Sequence, residues 1–217
     1  MVKLGGSLAY ASELPRWLGA LAEVAGGRAI IVPGGGPFAD QVRHAQCEWK
    51  FSDEAAHAMA VLAMEQFGLM MTGIEPRLAP VRDRTQIENA LASGRVAVWL
   101  PREMLPGQDG IPRCWGVTSD SLAAWLAHTL AARHLLLVKS IPAAPGDREV
   151  SELVREGIVD AALPGLLRDA SYTTWWVDRS HYSEIGAIME ERYAPGSRVV
   201  YAQRGLTGIP IAAHKIS

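Results

Sequence analysis

The sequence predicts an α/β fold built on a mainly parallel sheet with helices on both faces. Three observations carry this expectation. Short apolar runs alternate with longer stretches at helical spacing, two of the short runs end in glycine-rich turns, and 217 residues, 49% of them apolar, suffice for one large core. A crossover between parallel strands returns the chain to the same edge of the sheet, so ligands of such a fold gather at the carboxyl ends of the strands.

Residues 1–4 read as a short strand ending at Gly5-Gly6-Ser7, and residues 14–24 carry apolar side chains at helical spacing. Residues 28–32 form an apolar strand stopped by Pro33-Gly34-Gly35-Gly36, after which Pro37 suits the first turn of a helix. Asp53 and Glu54 sit where a helix dipole favours acids and open a further helix. Ala56, Met59, Ala60, Ala63 and Phe67 share its apolar face, and Gly68 closes it. Residues 85–92 are helical, 95–100 form a strand, and 101–112, rich in proline and glycine, read as a loop or lid. Thr118 caps a helix reaching about residue 132, and residues 134–138 form an apolar strand that runs into Lys139. Beyond a Pro/Gly-rich break at 142–146 follow a helix, a strand at 172–177, a helix at 184–193 and a strand at 197–201.

Composition narrows the partners. With 21 basic and 23 acidic residues the formal net charge is −2, which argues against a broad footprint for nucleic acid or an anionic membrane and points to a small ligand. No stretch approaches the roughly 20 apolar residues of a membrane span, and residues 1–7 do not read as a secretory signal. Cys47 and Cys114 offer neither a disulfide framework nor a metal pair at ligand spacing, the usage of a reduced cytoplasmic protein. Of the 21 basic residues four are lysines, so Lys3 and Lys139, both at strand ends, stand out.

Two glycine clusters at strand ends let backbone amides approach anionic oxygens closely, and Pro37 opens a helix whose N-terminus adds favourable charge for a phosphate. Neither cluster is a P-loop, because Gly-x-x-x-x-Gly-Lys-Ser/Thr is absent. Gly34, Gly36 and Ala39 satisfy a dinucleotide fingerprint with Asp53 near ribose-contact distance, yet Asp53 opens a helix instead of ending a strand. Lys3 stands before the first glycine turn as a compact charge able to reach a phosphoryl oxygen. Lys139 ends Leu135-Leu136-Leu137-Val138, where a bare charge is costly without an anion. Thr118, Ser119, Asp120 and Ser121 bring three hydroxyls and a carboxylate to a helix start. Read as structure, they cap the helix. Read as function, Asp120 holds lysines and metal in register while the hydroxyls face phosphate.

Lys3-Leu4-Gly5-Gly6-Ser7, Val32-Pro33-Gly34-Gly35-Gly36-Pro37-Phe38-Ala39-Asp40 and Thr118-Ser119-Asp120-Ser121-Leu122-Ala123 together resemble the amino acid kinase superfamily, which includes acetylglutamate kinase, uridylate kinase, aspartokinase and isopentenyl phosphate kinase. The resemblance spans nearly the whole chain. It implies a single domain over residues 1–217, a three-layer αβα sandwich around a mostly parallel sheet of about eight strands, with an acceptor lobe at about 1–114 and a nucleotide lobe at about 115–217. It also implies ATP and Mg²⁺, a small phosphorylated substrate, a homo-oligomer, and catalytic roles for Lys3, Asp120 and Lys139. Gly5, Gly6, Ser7, Gly34, Gly35, Gly36, Arg43 and His57 then fall to phosphate and acceptor binding. Thr118, Ser119, Ser121, Lys139 and Ser140 fall to the nucleotide, with Mg²⁺ held mainly by ATP phosphates and by no side chain.

Within the superfamily, Asp53-Glu54-Ala55-Ala56-His57 with its Met-rich helix, the Trp115 segment and Leu136-Leu137-Val138-Lys139-Ser140 are similar to the aminomethylfuran phosphate kinases of methanofuran-type cofactor synthesis. The sequence departs from the superfamily at Glu156-Gly157-Ile158-Val159-Asp160, where many members carry a lysine, and at Ile141-Pro142-Ala143, where relatives tend to have Asp-Gly. Either Lys139 takes over the duty of the missing lysine or phosphate is held with less charge. The expectation is a kinase for a small phosphate. The alternatives are another kinase of the superfamily, for uridylate, isopentenyl phosphate or acetylglutamate, and a non-catalytic binder of nucleotides or oxyanions.

Overall fold

The computed structural model describes residues 1–108, 111–190 and 196–201. Among the described residues eight strands form one sheet: β1 (Val2–Leu4), β2 (Ile30–Pro33), β3 (Ala79–Val81), β4 (Ala97–Trp99), β5 (His134–Lys139), β6 (Gly146–Glu149), β7 (Thr173–Asp178) and β8 (Ser197–Val200). Their spatial order is β3-β4-β2-β1-β5-β7-β8-β6. Every pairing is parallel except that of β7 with β8. The helices are α1 (Glu13–Val24), α2 (Gly36–Trp49), α3 (Asp53–Ile74), α4 (Arg84–Ala92), α5 (Ser119–Thr129), α6 (Val150–Arg155), α7 (Leu163–Leu167) and α8 (Ile185–Met189). They cover both faces, which makes the architecture a three-layer αβα sandwich.

Side-chain alternation along the strands sorts the core into two layers. Val2, Leu4, Ile31, Val98 and Val138 face α1 and α3, where Leu14, Trp17, Leu18, Leu21, Phe67 and Met71 are buried. Ile30, Val32, Trp99, Leu135 and Leu137 face α4 and α5. Trp17, Trp99 and Phe67 are fully buried, each contributing roughly 1.5–3 kcal/mol by leaving water. The indole of Trp17 remains satisfied by donating to the Arg179 carbonyl at 2.7 Å.

The expected elements recur with several differences, one of them the two helices α6 and α7 where a single helix was expected between residues 146 and 172. β3 and β6 were not expected, and they are the two edges of the sheet. Gly68 does not close its helix: α3 runs on to Ile74, because a Cβ at Gly68 would lie 2.7 Å from Leu100 Cδ2, so the missing side chain lets the helix settle against the sheet. On the same helix Met59 is exposed and does not join the buried face. The helix after Thr118 ends at Thr129 instead of about residue 132, and the last part of the helix expected at 184–193 lies outside the described residues.

Candidate active site

β1 and β5 are parallel neighbours with Lys3 opposite Leu137, so Lys3, Leu137 and Lys139, two positions further on, project to the same face of the sheet. Helix α5 covers that face. Its first turn carries Asp120, which is 3% exposed, into the gap between the two lysines. Lys3 Nζ lies 2.7 Å from Asp120 Oδ1, and Lys139 Nζ donates to Asp120 Oδ2 at 2.5 Å. Burial alone pushes the Asp120 carboxyl up, but the two ammonium groups hold it down at about 2. Burial and the neighbouring Lys3 ammonium pull Lys139 down to about 8, against the opposite pull of Asp120. Two cations share one anion here, and the surplus positive charge suits an anionic ligand.

Asp120 therefore does not cap α5 in the manner its position suggests. Thr118, at the N-cap, makes no side-chain bond to the following turn. That turn is held instead by Asp160, in the loop between α6 and α7. Asp160 Oδ2 accepts from the Thr118 amide and hydroxyl, both at 2.9 Å, and from the Ser121 amide at 3.0 Å. Its Oδ1 accepts from the Ser121 hydroxyl and from the Leu163 amide at 3.0 Å. The hydroxyls of Thr118 and Ser121, expected to face phosphate, face Asp160, and Ser121 is fully buried.

The two glycine turns pack back to back. A Cβ on Gly6 would lie 2.4 Å from the Gly36 nitrogen, and one on Gly34 would lie 2.4 Å from the Gly6 nitrogen, so these positions exclude any side chain unless the backbone moves. Gly36 also has φ +54°, the left-handed region that favours glycine. A Cβ on Gly5 would sit 3.5 Å from Lys3 Nζ, so glycine keeps the space beside that ammonium open. Ser140 Oγ donates to Ser7 Oγ at 2.5 Å, joining the ends of the two strands that carry the lysines.

Next to these turns opens a cavity of about 360 Å³, lined by Gly6, Ser7, Gly35, Gly36, Arg43, His57, Trp115, Thr118 and Ser119 among others. The Arg43 guanidinium lies 4.6 Å over the Trp115 ring and is paired with Asp40 at 2.7 Å. Trp115 is fixed in turn, its indole N–H donating at 2.6 Å to Gln46 Oε1, while Gln46 Nε2 donates to Asp53 Oδ1 at 2.8 Å. Burial holds the His57 imidazole below its usual pKa and Arg113 adds to this, against a hydrogen bond to the Cys114 backbone.

The structure thus gathers the residues singled out in the sequence around one end of the sheet, with the glycines in the paired turns, the two lysines on Asp120 at the adjoining strand ends, and Arg43 and His57 in the cavity wall. Asp160 and Gln46 are inconspicuous in the sequence. Asp160 ends the segment that lacks a lysine, and its remaining signal is an acid ahead of a short Pro-containing helical run. Gln46 carried no signal, because its role depends on the rotamer of Trp115.

An open αβα sheet that sets glycine turns and a Lys-Asp-Lys cluster at its ligand-binding end is the framework of a small-molecule phosphotransferase. The profile of the amino acid kinase family matches residues 1–143, and the chain belongs to that family. A curated relative from Methanocaldococcus jannaschii, [5-(aminomethyl)furan-3-yl]methyl phosphate kinase, is 25% identical over 92% of this chain and 97% of its own. Uridylate kinase from Archaeoglobus fulgidus superposes with a TM-score of 0.70 at 16% identity, over 92% of this chain and 99% of that one. Isopentenyl phosphate kinase from T. acidophilum does so at 0.60 and 14% identity, over 92% and 98%.

Proposed function

We propose that the chain transfers the γ-phosphoryl group of ATP to a phosphate oxygen of a small phosphomonoester, with an aminomethylfuran methyl phosphate as acceptor and its diphosphate as product. One observation carries this reading: two ammonium groups held on a single buried carboxylate, where the chain neighbours Gly6 and Ser7 of Lys3 and Thr118 and Ser119 of Asp120 line a cavity bounded by the glycine turns. Phosphoryl transfer needs positioning and charge neutralisation more than covalent help, and this cluster supplies both. Lys3 and the amides of the glycine turns would cradle the transferring group, with Asp120 fixing both lysines. A bond forms between an acceptor phosphate oxygen and the γ-phosphorus, the bond to the bridging oxygen of ATP breaks, and ADP leaves. An acceptor phosphate is already ionised near neutral pH and needs no strong base.

The position of Lys139 against Asp120 supports its standing in for the lysine missing from residues 156–160. Asp120 is engaged by two ammonium groups and Asp160 by five donors. This fits Mg²⁺ entering on the ATP phosphates, where it would neutralise charge, and the lysines would meet the same oxygens. The acceptor reading rests on the relative's name and gains support from the cavity. Trp115, Val61 and Met64 offer apolar surface to a flat ring, and Arg43 and His57 offer donors to its phosphate. Asp53 and Glu54 are occupied by Gln46 and Arg113, and Asp40, which lines the cavity, is paired with Arg43, so an amine there would share Asp40 with that guanidinium.

In this reading the acceptor occupies the lobe of residues 1–114 and the nucleotide that of 115–217. Assembly as a homo-oligomer is supported by the exposed Met59, Leu62, Leu69 and Ile74 of α3. A cytoplasmic location is supported by the free thiols of Cys47 and Cys114. Among the described residues no helix is long and apolar enough to cross a membrane. The test is a panel assay of ADP release with equal concentrations of aminomethylfuran methyl phosphate, UMP, isopentenyl phosphate, acetylglutamate and aspartate. The furan phosphate is expected to give the highest kcat/KM. A better rate with UMP or isopentenyl phosphate would replace the acceptor, and no ADP with any of them would favour a non-catalytic binder.

A further inference from the structure

We infer that Asp160 is a positioning residue for the reaction, holding the first turn of α5 so that Asp120 stays between Lys3 and Lys139. The inference rests on the kinase reading above. Its geometry is specific: Thr118 and Ser121 flank Asp120 in the chain, and each gives Asp160 both its amide and its hydroxyl. The fifth donor, the Leu163 amide, belongs to the start of α7, so one carboxylate ties two elements of the second half together. The Ala162 amide, donating to the Gly116 carbonyl at 3.1 Å, braces the same two loops.

A carboxylate offers about four lone-pair sites, and five donors fill them. Asp160 therefore has no capacity left for a ligand, and its effect on the reaction passes through Asp120. An amide cannot replace it. The Nδ2 group of asparagine is a donor and would be set against other donors on whichever side it took.

There is also an electrostatic consequence. Four charged groups surround the Lys139 ammonium or stand next to it: Lys3 from β1, Asp120 from α5, Asp160 from the loop before α7, and Asp178, its register partner on β7. The Asp160 charge favours protonated Lys139, which is already held low by burial and by Lys3. Loss of that charge moves the titration of Lys139 to lower pH, so the ammonium is lost earlier as pH rises.

The test uses full-length protein with isotope-labelled lysine side chains; the sequence has four lysines, and Lys139→Met assigns the resonance in question. In Asp160→Asn the Lys139 midpoint is expected below that of the parent. With ATP and the best acceptor, kcat is expected to fall between about tenfold and a hundredfold while KM for ATP changes by less than about threefold. A folded Asn variant with an unmoved midpoint, and a loss of turnover no larger than its loss of folded fraction, overturns the inference. If that variant does not fold, Asp160→Glu keeps the charge and displaces it by one methylene. The expected result is kcat down about tenfold with the Lys139 midpoint near the parent's, and a parental kcat overturns the inference. The lysine titration needs no turnover, so a parent that releases no ADP would defeat the kinase reading without obscuring this result.

Discussion

At the scale of single residues, Lys3 and Asp120 are buried charges whose surroundings give them opposite liabilities. Lys3 sits 2.7 Å from Asp120 with the open side of Gly5 next to it. Lys3→Ala is expected to leave the fold intact and lower turnover by roughly 10²- to 10³-fold, the range for losing one partner of transition-state charge. Circular dichroism and steady-state kinetics check both halves of that statement, and a rate within about threefold of the parent would remove Lys3 from the proposed chemistry. Asp120→Asn takes away the anion shared by two lysines, so turnover should fall at least about tenfold and stability by about 2 kcal/mol. The acid side gives an independent check. The folded-state pKa of Asp120, about 2, lies below the ordinary 3.8. Its stabilisation is therefore complete above about pH 4 and is lost as pH falls through about 2. Urea midpoints taken across that window should decline less steeply for the Asn variant, and identical slopes would mean that Asp120 is not held down by the lysines.

At the scale of elements, the paired glycine turns carry the clearest steric demand. A methyl group on Gly6 meets the backbone of Gly36 at 2.4 Å, an obstacle that no rotamer change relieves. Gly6→Ala is expected to cost roughly 1–3 kcal/mol, read from denaturant midpoints, and to weaken nucleotide and acceptor binding together as the turns part. An unchanged midpoint would show that the turns do not pack as described. The elements also show which parts of the fold were legible in the sequence. The interior strands were readable because burial on two faces requires continuous apolar runs such as Leu135-Leu136-Leu137-Val138. The edge strands were not. β3 is three residues long with Pro80 at its centre, and β6 reads Gly-Asp-Arg-Glu; proline and charge are tolerated at an edge and conceal the strand. At the site, Lys3, Lys139 and the glycines were visible as unusual residues at strand ends. Asp160 was not, because its meaning lies in donors some 40 residues away, at Thr118 and Ser121.

At the scale of the whole molecule, a ligand bridging both glycine turns and the lysine pair stabilises the folded chain by mass action. ATP with Mg²⁺ is expected to raise the melting temperature, and NAD or NADP to leave it unchanged, because the helix opened by Asp53 provides no ribose-binding strand end. Thermal shifts with the three ligands check this, and a rise with NAD alone would return the Gly34, Gly36 and Ala39 fingerprint to consideration.

The pairing of β1 with β5 sets residue 2 opposite residue 136, so the central seam of the sheet joins stretches made far apart in time on the ribosome. A nascent chain that has emerged through β4 can pair β1 with β2, yet the other edge of β1 is open and Lys3 has no carboxylate. Helix α5 and strand β5 follow one another directly, so the chain receives the anion for Lys3, the second lysine and the cover for that open edge within one short stretch of synthesis. Chain growth therefore builds the β1–β4 half first and completes the charged cluster late, and a truncated product ending before α5 would carry half a sheet and Lys3 without its carboxylate or the second lysine.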